Sequence, residues 1–139
     1  MARTRYLADT TVFARLAKPS VAAVFAPLAA EGRVAVCAPV AFELGYAARG
    51  PDHYQALADR LLSFPQAPTT DADHRRALEV QGALASGSQH RALSLVDALV
   101  AAVAEARDLV VLHYDADFEL VAGITGQDQE WVVPRGAAD

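Results

Sequence analysis

Basic side chains are scarce in this 139-residue chain. Lys18 is the one lysine among twelve basic residues, against seventeen acidic ones, for a formal net charge of −5. That balance excludes the broad basic face that holds nucleic acid without sequence preference. A polyanionic substrate would need a local arginine groove and metal ions, and would be held by few phosphate contacts. Cysteine is reduced to Cys37, in Val34-Ala-Val-Cys-Ala, where it reads as a small buried hydrophobe. One cysteine makes no disulfide within the chain, which fits a reducing, cytoplasmic compartment. No apolar run approaches the ~20 residues a membrane span needs, and Met1-Ala-Arg-Thr-Arg leads into a short strand-like segment with no secretory signal. Repeats, low-complexity tracts, long linkers, a phosphate-binding lysine loop and a dinucleotide-binding Gly-x-Gly-x-x-Gly are all missing. His53, His74, His90 and His113 show no zinc spacing.

What is present is apolar: 53% of residues are hydrophobic, enough for a substantial core in a chain of single-domain length. Residues 1–135 read as one domain and 136–139 as a loose tail. Arg5 to Ala8 predicts a short buried strand, and Thr11 to Ala17 a helix that ends before Pro19. Ser20 is a good N-cap for a helix to about Glu31, stopped by Gly32. Arg33 to Ala38 predicts a second strand. Pro39 suits the first turn of a helix to about Ala48, broken at Gly50-Pro51. A helix from Asp52 to Phe64 and a short strand within Pro65 to Thr69 follow. Asp71 caps a long helix to about Ala85, and Ser86-Gly87-Ser88 opens a polar loop. Ser94 to Arg107 is the most apolar helix, Leu109 to His113 a strongly apolar strand, and a short helix covers Asp117 to Ala122. Trp131 to Val133 is the last strand. Strands alternating with helices imply an α/β fold, with a mostly parallel sheet covered on both faces. Ligands of such sheets sit beyond the carboxyl ends of the strands.

That is where isolated carboxylates fall. Asp9 ends the first strand, and Asp115 and Asp117 follow the apolar strand that ends at His113. Glu43 is the only charge between Val34 and Ala48, and Asp97 the only one between Leu95 and Ala104. A buried carboxylate must be paired, hydrogen-bonded, protonated or bound to a cation, and this chain has few cations of its own. Each residue also has a plainer reading. Asp9 could cap the following helix, Ser94-x-x-Asp97 fits a capping box, and either Asp115 or Asp117 could be an N-cap. Glu43 could lie on a solvated face. Capping explains one of Asp115 and Asp117 but not both, and Glu43 is not at a helix end. Clustered carboxylates attract hard, oxygen-preferring cations, Mg²⁺ or Mn²⁺. A bound cation relieves their mutual repulsion and supplies what phosphodiester cleavage needs.

The same residues carry a family resemblance. Leu7-Ala-Asp-Thr-Thr-Val-Phe, Phe42-Glu-Leu, Leu93-Ser-Leu-Val-Asp-Ala-Leu-Val and Val111-Leu-His-Tyr-Asp-Ala-Asp-Phe resemble, in order and spacing, the acidic motifs of PIN-domain proteins. Trp131-Val-Val-Pro resembles their last strand. The size is similar to that of stand-alone VapC-type toxins. The resemblance implies a Mg²⁺-dependent endoribonuclease that cuts structured RNA such as tRNA or rRNA, leaves 5′-phosphate and 3′-hydroxyl ends, and is inhibited by a VapB-type antitoxin. A homodimer is also implied. Asp9, Glu43, Asp97 and Asp115 would hold the metal directly or through water, with Asp117 assisting. Thr11 is a candidate to orient a metal-bound water or touch phosphate, and Arg15, Arg49 and Arg91 are candidates for substrate phosphates. His113-Tyr114 departs from the Thr-polar pair of many members. Two other classes stay open. One is a catalytically silent binding module of the same fold. The other is a receiver-like Mg²⁺-binding signalling domain, which would want paired acids after the first strand and a late lysine.

Overall fold

The computed structural model describes residues 3–139. Five parallel strands form one sheet in the order β3-β2-β1-β4-β5: β1 Tyr6–Ala8, β2 Val34–Cys37, β3 Gln66–Ala67, β4 Val110–His113 and β5 Gln129–Trp131. Seven α-helices cover it: α1 Thr10–Phe13, α2 Pro19–Ala30, α3 Ala38–Tyr46, α4 Pro51–Leu62, α5 Asp71–Ser86, α6 Leu95–Ala106 and α7 Asp117–Thr125. The expected α/β architecture is therefore present, with β1 in the middle.

The strands read as unbroken apolar runs because both faces are buried. Side chains alternate between faces along a strand. Leu7, Ala35, Cys37 and Val111 join one core with α5, α6 and α7, whereas Ala8, Val34, Val36 and Leu112 join the other with α2 and α4. On that second face Phe13, Phe25 and Phe64 pack edge-on or tilted at 5.5–6.0 Å between ring centroids. Helix α6 is apolar on all sides because it is buried almost all round, from Asp97 to Ala104.

Element boundaries differ from the sequence reading in instructive ways. Helix α1 is a single turn, and the chain continues in turns to Ala17. Helix α2 starts at Pro19, with Lys18 rather than Ser20 at the N-cap, because proline needs no partner for an N–H it lacks. Thr70, not Asp71, caps α5: its hydroxyl accepts the Asp73 N–H while Asp73 accepts the Thr70 N–H, a reciprocal capping box. The last strand pairs through Gln129–Trp131, two residues earlier than expected, and Val132 and Val133 pack beyond it as buried side chains.

The tail is the clearest correction. Residues 136–139 are not loose, for the buried Tyr114 hydroxyl accepts the N–H groups of Gly136 at 2.7 Å and Ala138 at 2.9 Å. It also donates to the Asp139 carboxylate at 2.7 Å. Arg15 stacks on the Tyr114 ring at 4.6 Å and donates to the Ala138 carbonyl, and Lys18 donates to that of Asp139. The hydroxyl thus uses its proton and both lone pairs. Tyr114→Phe is expected to cost about 2 kcal/mol, since it leaves the Ala138 N–H buried without a partner. Urea denaturation measures the loss, and faster hydrogen exchange at Ala138 marks the freed tail.

Candidate metal centre

Parallel strands deliver the carboxylates to one edge. Strands β1 and β4 are neighbours in register Ala8↔Leu112, so the residues that follow them, Asp9 and the turn at Asp115, leave the sheet side by side. The Asp9 N–H donates to the Leu112 carbonyl at 2.9 Å. Asp97, buried in the first turn of α6, joins them.

Carboxylate oxygens of Asp97, Asp115 and Asp117 all lie within 4.8 Å of one another. Asp97 is buried, and Asp115 and Asp117 are half-buried at the mouth. Asp9 is 1% exposed and spends one oxygen locally: its Oδ2 accepts the Thr11 hydroxyl at 2.6 Å and the Thr11 N–H at 3.1 Å. Its Oδ1 is buried with no partner at all. An orphaned carboxylate oxygen costs several kcal/mol unless something meets it. Asp9 itself lies outside the 4.8 Å group, so the grouped donors are three carboxylates with no nitrogen or sulfur, a set that suits a hard divalent cation.

Electrostatics show how burial and mutual repulsion act on these acids. Burial is the main force raising the Asp97 carboxyl to about 7, and the charges of Asp9, Asp115 and Asp117 add to it, against a hydrogen bond from Ser94. Burial also raises Asp9, opposed by the Thr11 and Thr10 hydrogen bonds. Asp117 is raised by burial and then by the Asp115 charge.

Placement of the sequence candidates is uneven. Asp117, expected only to assist, belongs to the tight group. The capping readings of Asp9 and Asp97 hold in part: Asp9 caps α1 with one oxygen, and Ser94, not Asp97, caps α6 by accepting the Asp97 N–H at 3.1 Å. Glu43 lies outside the 4.8 Å group, half-buried on α3. It is the sixth residue of a helix that starts where β2 ends, so the helix carries it onward from the strand ends, and α3 packs against α1 and α6. Thr11 is fully engaged, donating to Asp9 and accepting the Tyr114 N–H at 2.9 Å, so its hydroxyl has no proton left for phosphate. Arg15 is tied to the tail, to Tyr114 and to the Thr11 carbonyl. Arg49 and Arg91 are exposed. Lys18 faces the tail rather than the acids, which removes the lysine a receiver domain would use. Sequence reading missed the network behind the acidic turn, in which His113 and Gln129 bond each other. His113, two residues before Asp115, read in sequence as a packed, hydrogen-bonded histidine, but nothing there pointed to Gln129.

The comparisons with known proteins agree with this geometry. Ribonuclease VapC51 of Mycobacterium tuberculosis is 45% identical over 135 residues, covering 97% of this chain and 98% of that protein. Among solved structures, the DNA-bound VapBC of Salmonella typhimurium superimposes with a TM-score of 0.75 at 18% identity, over 94% of this chain and 99% of that one. Mycobacterium tuberculosis VapC20, described as a sarcin-ricin loop cleaving toxin, gives a TM-score of 0.64 at 22% identity over 83% and 93%. Residues 6–124, spanning Asp9, Glu43, Asp97, Asp115 and Asp117, match the PIN domain family, and with relatives of the VapC type across nearly its whole length, the chain belongs to that family.

Proposed function

We propose that this chain is a Mg²⁺-dependent endoribonuclease toxin, held in check by a VapB-type antitoxin, that cuts structured RNA such as tRNA or rRNA in the cytoplasm. The observation that carries the reading is the convergence of Asp97, Asp115 and Asp117 beside the unpartnered Oδ1 of buried Asp9. The 45% identity to a protein named a ribonuclease supports the activity. Among the described residues no helix is long and apolar enough to cross a membrane.

Asp97, Asp115 and Asp117 would hold a divalent cation, Mg²⁺ or Mn²⁺, with Asp9 and Glu43 contributing directly or through water. Bound there, such a cation acidifies a water and neutralises charge on a phosphate oxygen. The chain's own contribution is to hold these groups still. Thr11 fixes Asp9 through Oδ2 and leaves Oδ1 without a partner, while the Asp115 side chain accepts the Asp117 N–H at 2.9 Å. Exposed Arg49 and Arg91 are left for RNA phosphates. In an acidic chain this keeps the phosphate contacts few and makes the cation the main anchor of the substrate.

An apolar surface supports the antitoxin. Phe42, Tyr46 and Leu62 are 81%, 90% and 74% exposed. Phe42 and Leu62 border a groove of about 340 Å³ between α3 and α4, lined also by Ala41, Gly45, Leu57 and Leu61. Gly45 leaves room there for the Tyr54 ring, which would have to shift if a Cβ stood 2.9 Å from it. A helix with an apolar face suits this groove, and an arginine next to it would reach charge complementarity in the acidic pocket. Exposed Leu78 and Leu95, on a separate groove between α5 and α6, support self-association as a homodimer.

The test is direct. Purified chain incubated with total RNA should cleave it with Mg²⁺ or Mn²⁺, fall silent with EDTA, and recover when metal is returned. Sequencing of the fragments should find 5′-phosphate and 3′-hydroxyl ends at few sites. Cleavage that persists in EDTA refutes the metal-dependent reading.

A further inference from the structure

Behind the acidic turn lies a buried histidine that touches no substrate. His113 ends β4 and is 0% exposed, its ring 5.0 Å from Phe118 and 5.0 Å from Trp131 between centroids. Its two nitrogens have different partners. Nδ1 lies 3.0 Å from the Asp115 backbone N–H, and Nε2 lies 2.6 Å from the Gln129 side-chain oxygen on β5. A backbone N–H can only donate, so Nδ1 must be the unprotonated nitrogen. The ring's proton therefore sits on Nε2 and is donated to the Gln129 side-chain oxygen, which holds the ring's orientation.

The bonds continue in one direction. Gln129 orients His113, His113 holds the Asp115 N–H, and the Asp115 Oδ1 accepts the Asp117 N–H at 2.9 Å. The turn carrying two of the three clustered carboxylates is thus anchored from inside the sheet. We propose that His113, with its ring held by Gln129, is a positioning residue that sets Asp115 and Asp117 at the spacing a divalent cation requires. A residue that merely filled the space between Phe118 and Trp131 would leave the Asp115 N–H without this acceptor, and the turn without its anchor.

The inference rests on the metal-site reading, and the experiment separates the two. Mn²⁺ alone is titrated calorimetrically into the full chain and into His113→Leu, His113→Asn, Gln129→Leu and Gln129→Glu. His113→Leu should bind Mn²⁺ at least ~10-fold more weakly, the usual cost of losing a residue that orients ligands. His113→Asn should stay within about threefold of the wild type, because its Oδ1 falls where Nδ1 was and accepts the same N–H. Gln129→Leu should weaken binding, and Gln129→Glu, which still accepts from Nε2, should not. If His113→Leu does not fold, the Gln129 pair decides alone. Equal Mn²⁺ affinity in folded His113→Leu and the wild type, or equal loss in both members of either pair, overturns the proposal. So does a ¹⁵N spectrum of the wild type with the ring proton on Nδ1. A wild type that binds no Mn²⁺ refutes the metal site instead. Hydrogen exchange at the Asp115 amide, faster in His113→Leu than in His113→Asn, then still decides whether His113 holds the turn.

Discussion

Asp97→Asn is expected to take RNA cleavage below detection while raising the stability of the metal-free chain. Asparagine keeps the shape of aspartate, and the Ser94 cap survives because it is the backbone N–H of residue 97 that Ser94 accepts. What goes is one anionic oxygen from a group of three that share 4.8 Å, and with it much of the attraction for a hard cation. The gain in stability follows from the same loss. Asp97 is 8% exposed and repelled by Asp9, Asp115 and Asp117, so its charged form is a liability whenever no cation is bound. Cleavage assays and thermal melts in EDTA check the two halves together. A variant that cleaves like the wild type would show that Asp97 does not hold the metal. One that loses activity by unfolding would show that it serves the helix instead.

The metal-free chain is also expected to lose stability as pH rises from about 4 to 7, by up to about 4 kcal/mol from Asp97 alone. Its carboxyl moves from the ordinary 3.8 to about 7 on folding, chiefly by burial, and each unit of such a shift is worth about 1.4 kcal/mol. Because the folded-state value is the raised one, the folded chain binds the extra proton in this window, and raising the pH works against it. Below about 4 the penalty is absent, and above about 7 it is complete. Asp9 and Asp117 are raised too and push in the same direction. Mg²⁺ should flatten or reverse the slope, since a cation binds the ionised carboxylates and competes with their protons. Urea denaturation between pH 4 and 8, with EDTA and with Mg²⁺, measures both curves. A metal-free stability that rises across the window would contradict the burial of these carboxylates.

How much of this was legible in the sequence depends on whether the signal is local. The strand runs at Tyr6–Ala8, Val34–Cys37 and Val110–His113 were readable because burial on both faces makes them continuously apolar. The acids were readable because each is a lone charge in such a run, and a lone charge in a buried segment needs a reason. Caps were misread at Ser20 and Asp71 because neighbouring residues competed for the same position: Pro19 starts a helix on backbone geometry alone, and Thr70 pairs with Asp73. The tail read as loose since Gly136-Ala-Ala-Asp139 offers no pattern. Its anchor, the Tyr114 hydroxyl, lies more than twenty residues away and is visible only once β4 is in place. Glu43 stood out in sequence as strongly as Asp97, yet only Asp97 joins the tight group. Sequence isolation reports that a charge is enclosed by apolar residues, not how far a helix carries it from the strand ends.

The pairing of β1 with β4 has a consequence for when the protein becomes dangerous to its maker. Thr11 and Tyr114 are hydrogen-bonded but 103 residues apart in the chain. At synthesis rates of roughly 5–20 residues per second, Asp9 waits several seconds for the segment that will stand beside it. Until β4 and the turn after it leave the ribosome, β1 has only β2 to pair with, and the acids at the sheet edge cannot assemble. Growing chains, and fragments made from broken messages, therefore carry Asp9 and Glu43 without Asp115 and Asp117. The hazard arrives in one late step, once the last third of the chain has been made, and that delay gives a partner made at the same time an interval in which to accumulate first.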